Sequence, residues 1–167
     1  ILYNYQLPSG MILNSLLEKY VVGLLTIVVR KSAFYSIDTQ FDSTYNIIGD
    51  FDFVIRLSSR YEIDCVQEVI ATYRYHGENI SIKKRDDQIV ELERWIIDMK
   101  LNQEVYKQKM FSRQEEQLLF LKVMNLIYSN ERVKALKLAT SMPSGKIKIK
   151  SVIVTMLPAY FLLKLQS

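Results

Sequence analysis

The first candidate for chemistry is a pair of aspartates, Asp50 and Asp52, at the start of an apolar repeat with helical spacing. A carboxylate at a helix start is favoured in its ionised form by free backbone N–H groups and the helix dipole. Such a carboxylate can accept a proton, so Asp50 is a candidate general base. Two other interpretations stay open: a plain helix cap, at Asp50 or at Asp52, and a metal-binding Asp-x-Asp motif.

The second candidate is the segment Tyr73-Arg74-Tyr75-His76, which ends a run of β-branched and aromatic residues. His76 is the only histidine and Cys65 the only cysteine, which excludes a zinc site rich in Cys and His. His76 is therefore either an ordinary loop residue or a contact to a metal or phosphate. Four tyrosines, Tyr35, Tyr45, Tyr73 and Tyr75, could stack on sugar rings or hydrogen-bond through their hydroxyls, although packing within the protein would explain them as well.

The elements that position these residues are predicted from hydrophobic periodicity and turn signals. Only 5 Gly and 3 Pro interrupt the 167 residues, which predicts long helices, especially after residue 82. Apolar residues at helical spacing predict helices over about 11–20, 50–61, 86–109, 114–128 and 131–142, with a helical turn at 31–34 and a loop at 38–46. The second helix is predicted to bury Phe51, Val54, Ile55, Leu57 and Ser58, and the third Ile89, Leu92, Trp95, Ile96 and Met99, which makes Trp95 a predicted core residue. Ser112 and Glu115 form a capping box before the fourth helix. Strands are predicted for 24–30 and 69–75, because these runs are rich in β-branched residues.

These elements predict an α+β, mostly helical fold with three portions. Residues 1–82 form a partial α/β region, residues 83–145 a helical region, and residues 146–167 a basic and apolar C-terminal helix. Two strands make a marginal sheet by themselves. We therefore expect another polypeptide segment to complete the sheet.

The C-terminal portion begins with alternating lysines, Lys146, Lys148 and Lys150, and continues into an apolar run over 152–165. This run is shorter than the roughly 20 residues that cross a bilayer, and Pro158 predicts a kink or two short pieces. It is either a helix lying on a membrane surface rich in anionic lipids or a helix docked on its predecessors. The net charge of +4 does not require a nucleic acid, and no nucleic-acid partner is expected.

Two ordered motifs carry a family resemblance. The stretch Gly49-Asp50-Phe51-Asp52-Phe53-Val54-Ile55-Arg56-Leu57, followed by residues 69–81, resembles the C-terminal half of family 2 glycosyltransferases. In that family an acid-Asp-aromatic-Asp-Leu-x-x-Arg-Leu motif opens a helix, and a Tyr-Arg-x-His strand follows it. The segments 7–10 and 28–31 also resemble the family, so that the resemblance covers residues 7–83. It implies the GT-A fold and transfer of a sugar from a nucleotide donor to an acceptor, with inversion.

Residue by residue, the resemblance implies that Asp50 is the catalytic base, with Gly49 in place of the usual preceding Glu. It places His76 and Arg74 near the nucleotide diphosphate, with His76 as the candidate metal contact. It also implies that Asp52, Tyr73 and Tyr75 are substrate-binding positions. Of the residues named, Asp52 and Arg74 match family positions that shape the site. For the complete enzyme it implies a divalent metal (Mg or Mn), a nucleotide sugar, and a saccharide or lipid-linked acceptor.

The sequence offers no β-α-β unit with a phosphate loop and no apolar strand ending in Asp-x-Asp. We therefore expect this chain to lack the nucleotide-binding half and, by itself, to bind no metal and to be inactive. The chain begins with Ile1, which predicts a truncated piece. It carries no secretory signal pattern, which predicts a location in the cytoplasm or peripherally on the inner face of the plasma membrane. The alternatives are a non-catalytic helical interaction module and a peripheral membrane protein.

Overall fold

The computed structural model of the chain describes residues 5–72 and 84–158. Within these ranges the protein is mostly helical, as predicted, and no β-strand is present. The α-helices of the described ranges are α1 (Leu13–Glu18), α2 (Lys31–Tyr35), α3 (Gly49–Ser58), α4 (Arg85–Met99), α5 (Gln103–Tyr106), α6 (Ser112–Tyr128), α7 (Arg132–Ser141) and α8 (Lys146–Met156). The predicted loop between α2 and α3 is confirmed.

Helix α3 lies at the centre of the first part of the chain. All the residues predicted to form its buried face are buried: Phe51, Val54, Ile55, Leu57 and Ser58. Two residues that were not predicted, Asp52 and Phe53, are buried as well. Helix α1 packs against α3 and contributes Leu16 and Leu17, both completely buried. Burial of a Leu side chain stabilises a fold by about 2 kcal/mol, so this contact is a main source of stability for α3.

Helix α4 also buries the face that its periodicity predicts, namely Ile89, Leu92, Trp95, Ile96 and Met99. Trp95 is completely buried, which confirms the prediction that it is a core residue. Its ring lies 4.8 Å from that of Phe51 and 6.1 Å from that of Phe111, measured between centroids. Aromatic pairs at such distances attract each other beyond their area of burial. Helix α4 is therefore attached to α3 through its tryptophan.

The strand prediction for residues 24–30 is wrong. Leu24–Thr26 forms a single 3-10 turn, and Ile27 and Arg30 have extended dihedral angles but no strand partner among the described residues. The side chains of Leu24, Leu25 and Val28 are 52%, 55% and 96% exposed. A β-branched run forms a strand only when a neighbouring strand binds its backbone and covers its side chains.

The second predicted strand, residues 69–75, is also wrong over its described part, 69–72. Val69 and Ile70 are 72% and 60% exposed. The only pairing that involves the neighbouring described segment is an isolated antiparallel bridge between Gly10 and Ile63. The partial GT-A-type α/β region is thus not supported by the described residues, because the two segments predicted as strands form no sheet there.

Helices α6, α7 and α8 share a core of their own. Its buried members are Val123, Ile127, Ala135, Ala139, Met142 and Val154. The predicted break after α6 is confirmed, and there Asn130 adopts a positive φ of 61°, a left-handed conformation that asparagine tolerates better than most residues. Two completely buried alanines in α7 let α8 approach closely.

The chain divides into two compact units, Ile1–Arg113 and Gln114–Ser167. The boundary predicted after residue 82 falls inside the first unit, and α4 packs with the residues that precede it. Helix α8 begins at Lys146, so that the lysine cluster lies within the helix, and α8 ends before Pro158. Among the described helices, none has both the length and the apolar character that crossing a membrane requires.

Candidate functional site

Asp50 lies in the first turn of α3 and is half-buried. Its Oδ1 atom accepts a hydrogen bond from the backbone N–H of Phe51, 2.8 Å away. The residue that caps the helix is Ile48, which has no side-chain oxygen. Neither Asp50 nor Asp52 is therefore the N-cap residue, and the interpretation of these aspartates as plain N-caps is wrong.

The start of α3 is held instead by Glu91, from the middle of α4. The Glu91 carboxylate accepts hydrogen bonds from the backbone N–H groups of Asn46, Ile47 and Ile48, over 2.8, 2.8 and 3.1 Å. Glu91 itself is 7% exposed. A buried carboxylate with several N–H donors restrains the backbone strongly, since loss of the acceptor leaves those donors unpaired. The backbone directly before Asp50 is thus positioned by a residue of another helix.

The same face of α4 holds the preceding loop at two further points. Arg94 donates a hydrogen bond to the carbonyl oxygen of Thr44, and its guanidinium lies 4.5 Å from the centre of the Tyr45 ring. The Tyr45 hydroxyl donates to a carboxylate oxygen of Asp98 over 2.7 Å. Residues 91, 94 and 98 follow helical spacing, so one continuous face of α4 binds residues 44–48.

Two groups of this loop have shifted pKa values. Burial, together with the hydrogen bond to Asp98, raises the pKa of the Tyr45 hydroxyl, which keeps it protonated as a donor. The hydrogen bonds from the Thr44 hydroxyl and backbone N–H lower the pKa of Asp42. Tyr45 is therefore a packing and hydrogen-bonding residue of the loop rather than an exposed platform for a sugar ring.

Asp52 lies in the interior, and 2% of its surface is exposed. One of its carboxylate oxygens accepts a hydrogen bond from the Trp95 ring N–H at 3.0 Å, and the other pairs with Arg56 at 2.7 Å. Arg56 also donates to the carbonyl oxygens of Thr39 and Gln40. Asp52 thus links α3 to α4 and to the loop before α3. This arrangement lets Asp52 shape a site without direct contact to a substrate.

A cavity of about 340 Å³ lies beside this network. Asp52 and Arg56 line it from α3, Arg60 from the turn that follows α3, and Asp98 from α4. Asp52 and Arg56 pair with each other, Arg60 donates to the carbonyl oxygen of Ser36, and Asp98 accepts from the Tyr45 hydroxyl. Asp50 is not among the lining residues. The cavity therefore lies beside the buried Asp52–Arg56 pair, and the predicted base does not line it.

The other predicted site residues, Tyr73, Arg74, Tyr75 and His76, lie outside the described residues, so their predicted roles stay predictions. Within 5–72 and 84–158, no three carboxylate, thiol or imidazole groups come together as a metal site would require. We therefore assign no metal ligands to the described residues and derive no chemical step through a metal.

Glu91 is the site residue that the sequence interpretation missed. It stands in α4 one position before Leu92 and four before Trp95, both of which belong to the buried stripe. That spacing places position 91 at the edge of the buried face. A glutamate at such a position signals a buried polar contact, although the sequence does not name its partners.

Comparisons of this chain with protein-family models, with curated proteins and with solved structures found no match.

Proposed function

We propose that this chain is the acceptor-side part of an inverting family 2 glycosyltransferase, with Asp50 as its catalytic base. The observation that carries the proposal is the order and spacing of the two motifs, 49–57 and 69–81. The family relationship, the activity and the peripheral cytoplasmic location are all parts of this proposal.

The local geometry of Asp50 supports the assignment. Its carboxylate is half-buried in the first turn of a ten-residue helix, where the helix dipole favours a negative charge. Within the described contacts, the Asp50 side chain accepts one hydrogen bond, from the backbone N–H of Phe51. Glu91 fixes the preceding backbone, so the carboxylate is carried by a rigid support. A positioned base of this kind contributes about 100- to 10,000-fold to a reaction rate.

In the proposed reaction Asp50 removes the proton of an acceptor hydroxyl while that oxygen attacks the anomeric carbon of the donor sugar. The new bond joins the acceptor oxygen to the sugar, and the bond from the sugar to the nucleotide diphosphate breaks. The diphosphate leaves with the bonding electron pair, and the proton stays on the carboxylate. One displacement of this type inverts the anomeric configuration.

The segments 24–30 and 66–72, which have no strand partner among the described residues, support the proposal of a missing half. They expose Leu24, Leu25, Val28, Val66, Val69 and Ile70. A segment without a strand partner can pair with a strand of another polypeptide, which then also covers its apolar side chains. A nucleotide-binding half that contributes strands would pair with the backbone of these segments and cover their apolar side chains. It would also complete the cleft at Asp50, which the described cavity does not reach.

The test joins this chain to the nucleotide-binding half of a family 2 glycosyltransferase and measures nucleoside diphosphate release with a panel of sugar nucleotides and acceptors. Asp50→Asn keeps the shape of the side chain but removes the base. We expect kcat to fall by about 100-fold or more, because the proton acceptor is lost.

Asp64→Asn is the matched control. Asp64 accepts a hydrogen bond from the N–H of the next residue, Cys65, at 2.8 Å, just as Asp50 does from Phe51. The control separates loss of the base from loss of this local bond, and we expect its kcat to equal that of the parent. Equal activity of the parent and Asp50→Asn would show that the assignment is wrong.

A further inference from the structure

The positive charge of the protein is concentrated at its C-terminal end. Residues 132–167 contain seven Lys and Arg and no Asp or Glu. Residues 1–131 contain all 18 acidic residues against 15 basic ones. The net charge of +4 therefore comes entirely from the last 36 residues. Such an asymmetry is typical of a chain whose basic end meets an anionic partner.

Helix α8 presents apolar side chains on its exposed side. Ile149, Ile153 and Met156 are 62%, 52% and 70% exposed. Lys146 and Lys150 are exposed on the same side, because each of the five positions lies three or four residues from at least one other. We call this surface the lysine–isoleucine face; it consists of Lys146, Ile149, Lys150, Ile153 and Met156.

The opposite side of α8 is already occupied. Ser151, Val154 and Thr155 are buried, and Val154 belongs to the core shared with α6 and α7. Arg132, at the start of α7, donates hydrogen bonds to the carbonyl oxygens of Thr155 and Leu157, over 3.0 and 2.6 Å. These bonds satisfy carbonyl groups at the end of α8. The helix is thus fixed with its lysine–isoleucine face outward.

We propose that the lysine–isoleucine face binds the surface of a membrane that contains anionic lipids, with α8 parallel to the membrane. Ile149, Ile153 and Met156 would enter the boundary between headgroups and acyl chains, and the lysines would contact anionic headgroups. Lysine suits this position because its apolar stem can stay with the isoleucines while its ammonium reaches the headgroups. The Lys150 ammonium also lies 4.3 Å from the centre of the Phe120 ring, which keeps it beside the helix.

The composition of the face favours lipid over nucleic acid. Proteins that bind single-stranded nucleic acids place aromatic side chains among their basic residues, since bases stack on them. The lysine–isoleucine face has aliphatic side chains and a methionine at its centre, and these gain little from a phosphate backbone. Eleven residues of helix span about 16 Å, which suits a helix that lies on a membrane.

The test measures co-sedimentation of the full chain with lipid vesicles. One set of vesicles contains phosphatidylcholine alone, and the other contains phosphatidylcholine mixed with phosphatidylglycerol. We expect binding to the mixed vesicles, weak binding to the neutral ones, and a loss of binding at high salt, where headgroup charges are screened. Replacing Lys146 and Lys150 by Gln should weaken partitioning by about 25-fold in total, at about fivefold for each lysine.

The apolar part of the face is tested by Ile149→Ser with Ile153→Ser, for which we expect a loss of about tenfold or more. The matched control is Val90→Ser with Ile97→Ser, because these α4 side chains are 64% and 60% exposed but lie in the other compact unit. The control should bind as the parent does. Far-UV circular dichroism and thermal unfolding verify that each variant is folded.

Four results would overturn the proposal. They are absence of binding to the mixed vesicles, equal binding to neutral vesicles, parental binding by the isoleucine variants, and displacement from vesicles by single-stranded RNA that depends on the lysines alone. The last result would assign the face to a nucleic acid. The proposal does not depend on Asp50, so the glycosyltransferase assignment can fail while the membrane assignment holds.

Discussion

Each of the two compact units of this protein is stabilised internally by a different kind of contact. In the first unit, Glu91 and Arg56 bind backbone groups of the loop that precedes α3. In the second unit, α6, α7 and α8 bury aliphatic side chains and two alanines between consecutive helices. Besides its apolar core, the first unit therefore depends on a few polar residues distant in sequence, whereas the second depends on the volume of residues that are near in sequence.

This difference affects where function can be placed. A loop held by buried hydrogen bonds keeps a defined conformation next to Asp50, which suits a site that needs a positioned group. A helical hairpin held by apolar packing leaves its outer side free, which suits a surface for binding. The two proposals made above follow this division.

The largest effect that we expect comes from Glu91→Gln. The amide offers one acceptor oxygen where the carboxylate has two, so at least one backbone N–H among residues 46–48 loses its partner in the interior. We expect the free energy of unfolding to fall by about 3 kcal/mol, measured by urea denaturation. Hydrogen exchange should become faster in the loop and in α3, while amides of α7 and α8 keep their protection.

The control for this change is Glu93→Gln, on the exposed side of the same helix. It should change stability by less than about 0.5 kcal/mol, as surface substitutions generally do. If the two variants were equally stable, the claim that Glu91 organises the first unit would be untenable.

An intermediate effect is expected from Ala139→Leu in the second unit. Ala139 is completely buried between α7 and its neighbours, so a larger side chain would force the helices apart. Overpacking of this kind costs about 2 kcal/mol. Hydrogen exchange should become faster over α6 to α8 and stay unchanged in α3 and α4. Lys137→Leu, at an exposed position of the same helix, is the control; a comparable loss in both variants would contradict a role for volume.

The smallest effect concerns Tyr45 and alkaline pH. Because the folded protein raises the pKa of this hydroxyl, its contribution to stability is complete below the unfolded pKa of about 10 and is lost as the pH rises above it. Tyr45→Phe should cost about 1 kcal/mol at neutral pH through loss of the bond to Asp98. It should also reduce the loss of stability above pH 10, followed by urea denaturation at a series of pH values.

Tyr35→Phe is the control for the alkaline experiment, because it changes an exposed tyrosine and leaves Tyr45 in place. It should retain the alkaline loss of the parent. An unchanged profile in Tyr45→Phe would mean that the buried hydroxyl does not contribute to the alkaline behaviour.

The helices could be predicted closely from the sequence, and the extended segments could not. For α4, periodicity identified the buried face, including Trp95, although the predicted helix continued to about Lys109 and α4 ends at Met99. For residues 24–30, the β-branched composition predicted a strand, and that prediction is wrong: Leu24–Thr26 forms a 3-10 turn. The reason is that a strand requires a second strand, and none accompanies this segment in the described residues.

The candidate site was predicted in part. The position of Asp50 at a helix start follows from the repeat that begins there, and the structure agrees. The bonds of Asp52 to Trp95 and Arg56 do not follow from any local pattern, because Trp95 is 43 positions away. The role of Glu91 was missed for the same reason.

The sequence by itself determined most of the helices, the buried sides of α3 and α4 and the basic character of the C-terminal end. These properties depend on neighbours three or four positions away, since helical hydrogen bonds and amphipathic faces are local. Only the tertiary structure decided which acceptor holds the backbone before Asp50, which buried groups bind Asp52, and which side of α8 stays exposed. Each of these depends on residues that folding brings together from distant parts of the chain or from neighbouring helices.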